Sequence, residues 1–301
     1  VNGLKTRCEW FGLEKRDKSV EFIGPINADI CNQNRLILNQ VSLDVKLWPA
    51  QNAFKLICSQ NVSEGKLIID EIFLRVCKVA VSPEVRLGHA AGLELAPARY
   101  PFNKVEIRPL SIDKGNSIAN FNNIFEGNVP TKMIVGLVSQ DDYIGDFQTN
   151  PFYFQHFNIL SIGLEIGNEK IPSQPYQFNF EDNQYLDGLM SLYRCSDKVW
   201  ENTDIGMTRQ LYQNGLTLIG FNIDPTAPAN LDYLGVPRKG NLNMCIKFHR
   251  KTPCNVVVIV YAIFPARMEI DNTRHVVTYD VKQLIDEITQ NNIKSVVAPA
   301  A

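Results

Sequence analysis

A two-residue alternation of apolar and polar side chains is the feature that most restricts the fold of this chain. In residues 41–47 the apolar positions are Val41, Leu43, Val45 and Leu47. The same alternation returns in residues 105–108, 160–166, 219–223 and 244–248. Because successive side chains of a β-strand point to opposite faces of the sheet, this period is typical of half-buried strands. The sequence therefore predicts a chain built mainly of β-strands.

Three segments are apolar at both alternating positions: residues 67–81, 133–138 and 256–264. Such runs are typical of central strands covered on each side, or of strands at a contact between subunits. Between strands, Gly167 and Asn168 predict a tight hairpin, because both residues tolerate positive φ. About ten or eleven strands are predicted in all, and their spacing favours an all-β sandwich or barrel.

Two helices are predicted among these strands. The first, at residues 182–195, has an apolar helical face and Asp182 as its predicted N-cap. The second follows Asp280 near the C-terminus, with Gln283 at the capping-box position. A shorter helical turn is predicted at residues 207–213. Because strands flank the first helix on both sides, we expect it to be an insertion into an all-β fold.

Composition excludes several classes of protein. The 30 Lys and Arg residues nearly balance the 32 Asp and Glu residues, so the chain lacks the basic excess of proteins that coat nucleic acid. Its longest apolar run, residues 256–264, is too short to span a bilayer. The 7 cysteines are scattered without a Cys-x-x-Cys pair. Together with the lack of a signal sequence, they predict an intracellular protein with reduced thiols.

Chemical motifs are missing from the sequence. The histidines do not occur in the spacings of zinc proteins; they are His89, His156, His249 and His275. An enzyme would need distant groups to converge, for example His156 and His249 with Asp141. Cys195 and Cys245 are expected to be small buried hydrophobes rather than nucleophiles. The sequence therefore predicts no catalytic residue, no metal and no cofactor.

Three polar clusters receive a structural interpretation. Asp141, Asp142 and Asp146 lack the spacing of a calcium loop, so a solvated turn is predicted there. The basic residues at 15–18 are interrupted by an acid and predict a solvated loop. The sequon at residues 61–63 has no expected role without a secretory signal.

Aromatic residues are concentrated between residues 147 and 180. They are Phe147, Phe152, Tyr153, Phe154, Phe157, Tyr176, Phe178 and Phe180. Exposed on a concave face, such side chains would bind sugars; buried, they would fill the core or a contact between subunits. The core or subunit contact is the preferred interpretation. A carbohydrate-binding jelly-roll module without catalysis is the alternative.

An ordered series of short motifs resembles a known family. The motifs are PEVRLGHA from Pro83, ARYP from Ala98, NIFEGNVP from Asn123, MIVGLV from Met133, NPFYFQHFN from Asn150 and IPSQP from Ile171. The series continues with GLTLIGF from Gly215 and NVVVIVYA from Asn255. In this order the motifs resemble the hexon-like major capsid protein of adintoviruses and of Polinton (Maverick) elements, over about residues 2–275.

The resemblance implies a double jelly-roll, two eight-stranded antiparallel sandwiches standing side by side. In that scheme residues 1–85 supply later strands of the first sandwich and residues 86–100 link the two. Residues 101–275 form the second sandwich, and residues 276–301 form a helical tail. Since the predicted strands are too few for two sandwiches, the first is expected to lack its N-terminal part.

The resemblance also implies a function. Three copies would form a homotrimeric, pseudo-hexagonal capsomer, and capsomers would tile the icosahedral shell of a double-stranded DNA virion assembled inside the host cell. The implied partners are further copies of the chain and minor capsid and penton proteins, without sequence-specific nucleic-acid binding or a membrane span. A shell protein works through contacts between copies and needs no active site. The C-terminal helix would dock on its own subunit or on a neighbour.

Overall fold

A computed structural model describes residues 21–57, 65–199, 205–224 and 238–286 of the chain. Its strands are β1 (Ala98–Ile112), β2 (Ile118–Phe121), β3 (Asn128–Val129), β4 (Lys132–Ser139), β5 (Ile159–Ile166), β6 (Glu169–Gln177), β7 (Leu218–Asn222), β8 (Arg238–Lys239), β9 (Leu242–Phe248), β10 (Val256–Ile270) and β11 (Val276–Tyr279). Its helices are α1 (Asn52–Lys55), α2 (Pro83–Leu95), α3 (Gln140–Ile144), α4 (Leu186–Cys195) and α5 (Arg209–Gln213). A 3-10 turn occupies Asp29–Asn32, and a further helix, α6, occupies residues 281–286.

Two antiparallel sheets form a sandwich. The first has the order β1-β10-β4-β7, with β11 pairing to the far end of β10, and the second has the order β2-β9-β5-β6. If the eight main strands are lettered B to I along the chain, these orders are B-I-D-G and C-H-E-F, the arrangement of a jelly roll. The predicted all-β fold is therefore confirmed by the strand order, and the described residues contain one such sandwich.

The core lies between the two sheets and follows the predicted alternation. On β10 the inward side chains are Val256, Val258, Val260, Ala262 and Phe264, all buried. The facing sheet contributes buried side chains from Ile159, Ile162, Leu242, Met244 and Ile246. The two apolar runs at 133–138 and 256–264 lie in β4 and β10, which have neighbouring strands on both sides. Both are central strands, as predicted.

The inserted helix is present but begins later than predicted. α4 starts at Leu186 behind an N-cap, Tyr185, that offers no side-chain hydrogen bond. Asp182 instead accepts a hydrogen bond from Nδ2 of Asn179 at 2.7 Å. The prediction of Asp182 as the N-cap is therefore wrong, because its carboxylate stabilises the turn before the helix.

The C-terminal helix is capped as predicted. The backbone N–H of Gln283 donates to Oδ1 of Asp280 at 3.1 Å, and the N–H of Asp280 donates to Oε1 of Gln283 at 3.0 Å. Val281 and Leu284 are buried, and Val281 belongs to the core of the sandwich. The described part of this helix therefore docks on its own subunit.

The segment before the sandwich differs from the sequence prediction. The described parts of residues 21–82 contain no strand, so the strands predicted at 41–47 and 67–81 are not formed. A strand is stable only when its backbone groups pair with a neighbour and its apolar face is covered. The described residues offer these segments neither a pairing strand nor a facing sheet. An alternating pattern does not form a strand without these partners.

Candidate assembly surfaces

The residues considered for an enzyme do not form a common site. His156 accepts a hydrogen bond within its own turn, and His249 contacts the carbonyl oxygen of Phe178 through Nε2 at 2.9 Å. Asp141 lies in the first turn of α3. Across the described residues, no group of three or more His, Cys, Asp or Glu side chains could hold a metal ion. The remaining histidines, His89 and His275, lie exposed on α2 and before β11.

Cys195 is enclosed where α4 packs on the sheet. Its thiol lies 3.8 Å from the carbonyl oxygens of Met133 and Phe221. Burial raises the pKa of Cys195 to about 11, so the thiol stays protonated at neutral pH and is a poor nucleophile. Cys245 is partly exposed on β9 and forms no disulfide.

The carboxylate cluster belongs to a helical turn. Asp141 and Asp146 are exposed, as the predicted solvated turn requires, whereas Asp142 is buried. The N–H of Asp142 donates to Oγ of Ser139 at 3.1 Å, which caps α3. The prediction of a solvated turn is therefore wrong for Asp142, which lies buried in the capped first turn of α3. The basic residues at 15–18 and the sequon at 61–63 lie outside the described residues.

The aromatic cluster divides into a buried and an exposed part. Phe178 and Phe180 are buried, and a stack runs from Phe180 to Tyr185 and on to Tyr212 with ring centroids 5.3 and 5.9 Å apart. Phe152 and Tyr153, by contrast, are 61% and 42% exposed. Of the eight aromatic residues, two are buried in the core, four are partly buried and the pair Phe152 and Tyr153 remains at the surface.

Three edges of the sandwich are closed to strand addition. Along β1, the N–H of Val105 donates to Oδ2 of Asp29 at 3.1 Å. Along β7, the N–H of Gly220 donates to Oγ of Ser191 on α4 at 3.0 Å. The edge strand β6 contains Pro172 and Pro175, which have no N–H to offer. These features disfavour the pairing of strands from another copy along these three edges.

Residues 28–41 dock on the sandwich where β1 and β10 extend beyond the second sheet. Ile30, Leu38 and Val41 pack on a second apolar cluster formed by Tyr100, Phe102, Ala266, Met268 and Ile270. The hydroxyl of Tyr100 donates to the carbonyl oxygen of Leu36 and accepts from the N–H of Leu38, both at 3.2 Å. These residues take the place of the second sheet over the protruding strand ends.

A second docking point lies at the opposite end of the sandwich. The ring of Phe54 on α1 meets the ring of Phe152 edge-on, with centroids 5.8 Å apart. Gly145 also lies against Phe54, since a Cβ atom at Gly145 would come within 2.9 Å of the Phe54 Cα atom. The chain before the sandwich is thus fastened at both ends of the first sheet.

The part of the chain that precedes β1 exposes an unusual amount of apolar surface. Of the 31 large hydrophobic side chains exposed in the described residues, 21 lie between Phe22 and Leu95. The densest part, residues 67–81, is called the apolar segment below. Its exposed members are Leu67, Ile68, Ile69, Ile72, Phe73, Leu74, Val76, Val79 and Val81. Contiguous apolar surface of this kind marks an interaction site, so the apolar segment is the candidate assembly surface.

Local sequence signals identify the apolar segment but not its docked neighbours. Its apolar character at both alternating positions already predicts a segment covered on each side. The contacts of Asp29 with Val105 and of Phe54 with Phe152 join residues far apart in the chain, and no local pattern predicts them. The described helices include none that is long and apolar enough to cross a membrane.

One curated protein and several solved structures are similar to the chain, whereas no protein-family model matches it. The uncharacterized protein F54H12.2 of Caenorhabditis elegans is 27% identical over an alignment of 259 positions, which covers 83% of this chain. The chain spans 61% of the length of that relative.

The similar structures come from viruses. A chain of the Sputnik virophage aligns with a TM-score of 0.36 and 14% identity, over 63% of this chain and 41% of that chain. The mavirus major capsid protein aligns with a TM-score of 0.33 and 9% identity, over 63% and 43% of the two chains. PBCV-1 VP54 aligns with a TM-score of 0.35 and 9% identity, over 62% and 52%. This likeness is partial, and the jelly-roll assignment rests on the strand order of the chain itself.

Proposed function

We propose that this chain is a non-enzymatic structural protein, a major capsid subunit that assembles with copies of itself. The observation that carries the proposal is the apolar segment, which lies exposed beside a jelly roll whose edge strands β1, β6 and β7 disfavour strand addition. Soluble monomers rarely expose a contiguous apolar surface of this size, and contact with another copy would remove it from water. Each large apolar side chain that becomes fully buried stabilises the assembly by about 1.5–3 kcal/mol.

The ordered motif series supports the finer part of the proposal. Its resemblance to adintovirus and Polinton capsid proteins favours a homotrimeric, pseudo-hexagonal capsomer of an icosahedral double-stranded DNA virion. Minor capsid and penton proteins would be its further partners. Residues 1–85 would belong to a first jelly roll, 86–100 to a linker, 101–275 to a second jelly roll and 276–301 to a tail. In this arrangement the apolar segment would be a central strand of the first jelly roll.

Light scattering after size exclusion tests self-assembly of the full chain. A trimer would have about 102 kDa, three times the 34.0 kDa of one chain. The variants Ile68→Asp and Phe73→Asp place charges on the apolar segment and should shift the protein toward monomers. Leu186→Asp is the matched control, because this exposed side chain lies in the first turn of α4, where a carboxylate is tolerated. A monomeric wild type at high concentration contradicts the proposal.

A carbohydrate-binding role is the second candidate, and the exposed pair Phe152 and Tyr153 favours it. Stacking on exposed aromatic rings is a common way for proteins to bind sugars. A glycan array with the wild type and with Phe152→Ala tests this role. Binding that the wild type shows and the variant loses would support the carbohydrate-binding role. An array without any binding would contradict this role and leave the capsid role as the remaining proposal.

A further inference from the structure

A histidine holds the turn at residues 154–158, which leads from the loop after α3 into β5. Phe157 and Asn158 have positive φ values of 43° and 51°, a backbone conformation that strains residues other than glycine. The N–H of Asn158 donates to Nδ1 of His156 at 3.0 Å. The turn therefore depends on a neutral imidazole whose Nδ1 carries no proton.

The imidazole ring is clamped in this orientation. It stacks on the ring of Phe180 with centroids 4.1 Å apart and planes inclined by 12°. Phe180 in turn stacks on Tyr185, which belongs to the buried aromatic stack. Protonation converts Nδ1 from an acceptor into a donor, so two N–H groups would then face each other at the distance of a hydrogen bond. A half-turn of the ring about its Cβ–Cγ bond would keep the stack on Phe180, but it would place a C–H where Nδ1 stood, so the N–H of Asn158 would still lose its acceptor.

Other titratable groups near this turn respond differently. His249 contacts the carbonyl oxygen of Phe178 through Nε2 at 2.9 Å, and a protonated His249 would keep an N–H at that atom. Around Phe180, Glu181 pairs with Arg250 at 2.9 Å and Asp182 accepts from Asn179 at 2.7 Å. The hydroxyl of Tyr185 lies 3.2 Å from Oε1 of Gln213. Proton uptake by His156 is thus the change that removes an acceptor from the turn.

The same stretch of chain carries the docking point of α1. Phe152 contacts Phe54 edge-on. Backbone bonds then tie the following residues to the sandwich: the N–H of Phe154 donates to the carbonyl oxygen of Gly215 at 2.8 Å, and that of Gln155 to Leu137 at 2.9 Å. If the turn at 154–158 opened, these backbone bonds would weaken, and Phe152 would no longer be held in position against Phe54 on α1.

We propose that His156 is an acid-sensitive latch, and that its protonation opens the turn at residues 154–158 and releases α1 from the sandwich. The latch concerns one chain and does not depend on the capsid role. In an assembling subunit it would couple acidification to loosening of the residues that precede the sandwich.

The direction of the pH effect follows from burial. Burial lowers the pKa of His156 below its ordinary value of 6.5, so the open turn binds protons more readily than the closed turn. The stability of the closed turn is therefore complete above about pH 6.5 and falls as the pH drops through the lowered pKa. A latch of this kind opens in mildly acidic solution.

Hydrogen exchange of the full chain tests the latch at about pH 7.5 and about pH 5, with rates corrected for the intrinsic effect of pH. In the wild type, exchange in residues 154–160 and 52–56 should rise at least about threefold at the lower pH. His156→Asn keeps an acceptor oxygen near the position of Nδ1 without titrating there, so its exchange should be the same at both pH values. His156→Phe keeps the stack without the acceptor, so residues 154–160 should exchange rapidly at both.

His89→Asn is the control, since His89 is exposed on α2, and it should behave as the wild type does. A wild type whose exchange does not change with pH overturns the proposal without any variant. An equal pH response in His156→Asn also overturns it. A rise confined to residues 154–160, with 52–56 unchanged, overturns the release of α1.

Discussion

The hydroxyl of Ser191 lies 3.0 Å from the backbone nitrogen of Gly220 and accepts its hydrogen bond. Through this one contact, α4 satisfies an outward-facing donor of the edge strand β7. The same hydroxyl donates to the carbonyl oxygen of Gly188 at 2.6 Å. The inserted helix therefore seals the edge of the jelly roll as well as covering part of its outer face.

Replacing Ser191 with Ala should destabilise the protein by about 1–3 kcal/mol, because the buried N–H of Gly220 would lose its acceptor. Denaturant unfolding measures the change in the free energy of unfolding. Ser196→Ala is the control: within the described residues, Ser196 Oγ bonds to carbonyl oxygens of its own helix, those of Leu192 and Tyr193, so its loss should cost less. Equal losses for the two variants would show that the edge contact has no special role.

Two helical glycines should respond oppositely to substitution by Ala. A Cβ atom at Gly188 would collide with the ring of Phe178 and lie 2.5 Å from the hydroxyl of Tyr212, so Gly188→Ala should cost about 1–3 kcal/mol. A Cβ atom at Gly92 on α2 meets nothing within 4 Å, so Gly92→Ala should stabilise the helix by about 0.5–1 kcal/mol. Thermal unfolding of the two variants distinguishes them, and an unchanged or higher Tm for Gly188→Ala would contradict the packing of α4.

The capping box at the start of α6 should hold the C-terminal helix on the core. Asp280→Ala removes the acceptor for the N–H of Gln283 and should cost about 0.5–2 kcal/mol. Exchange of the amides at residues 281–286 should rise, because Val281 and Leu284 would leave the core more often. Asp286→Ala, which removes an exposed pairing with Lys239, is the control and should change exchange little.

The thiol of Cys195 should react only when the protein opens. Since burial raises its pKa to about 11, an aromatic disulfide reagent at about pH 8 should modify the exposed Cys31 and Cys77 first. The folded protein holds this proton more tightly than the unfolded chain does. The free energy of unfolding should therefore fall as the pH rises from about 9 towards about 11, where the unfolded chain loses the proton first. After unfolding, the Cys195→Ala variant should react with the reagent at one cysteine fewer than the wild type. Rapid labelling of Cys195 in the folded protein would contradict its burial.

Strand positions were predictable where the pattern is local and the partners lie within the sandwich. The hairpin at Gly167 follows the prediction, with φ of 60° at that residue, because turn geometry depends on the turn residues themselves. The segments at 41–47 and 67–81 have equally clear patterns, yet they form no strand. Their pairing depends on other strands, which a local pattern cannot supply.

Candidate sites divide in the same way. The apolar segment can be recognised from the sequence, because a long run of apolar residues indicates by itself a segment that some contact covers. The role of His156 is not visible there, since its ring stacks on Phe180, 24 residues away along the chain. α2 was missed as well, although Ser82 and Pro83 form a cap and first-turn pair typical of a helix start.

By itself, the sequence determined the all-β class, the central strands β4 and β10, and the capping box at Asp280. These properties follow from side-chain period and local hydrogen bonding, which neighbouring residues settle among themselves. Only the tertiary structure decided the jelly-roll strand order, the closure of β7 by Ser191 and the docking of Phe54 on Phe152. These contacts join distant residues, and their free energy exists only once the sheets have brought the two partners together.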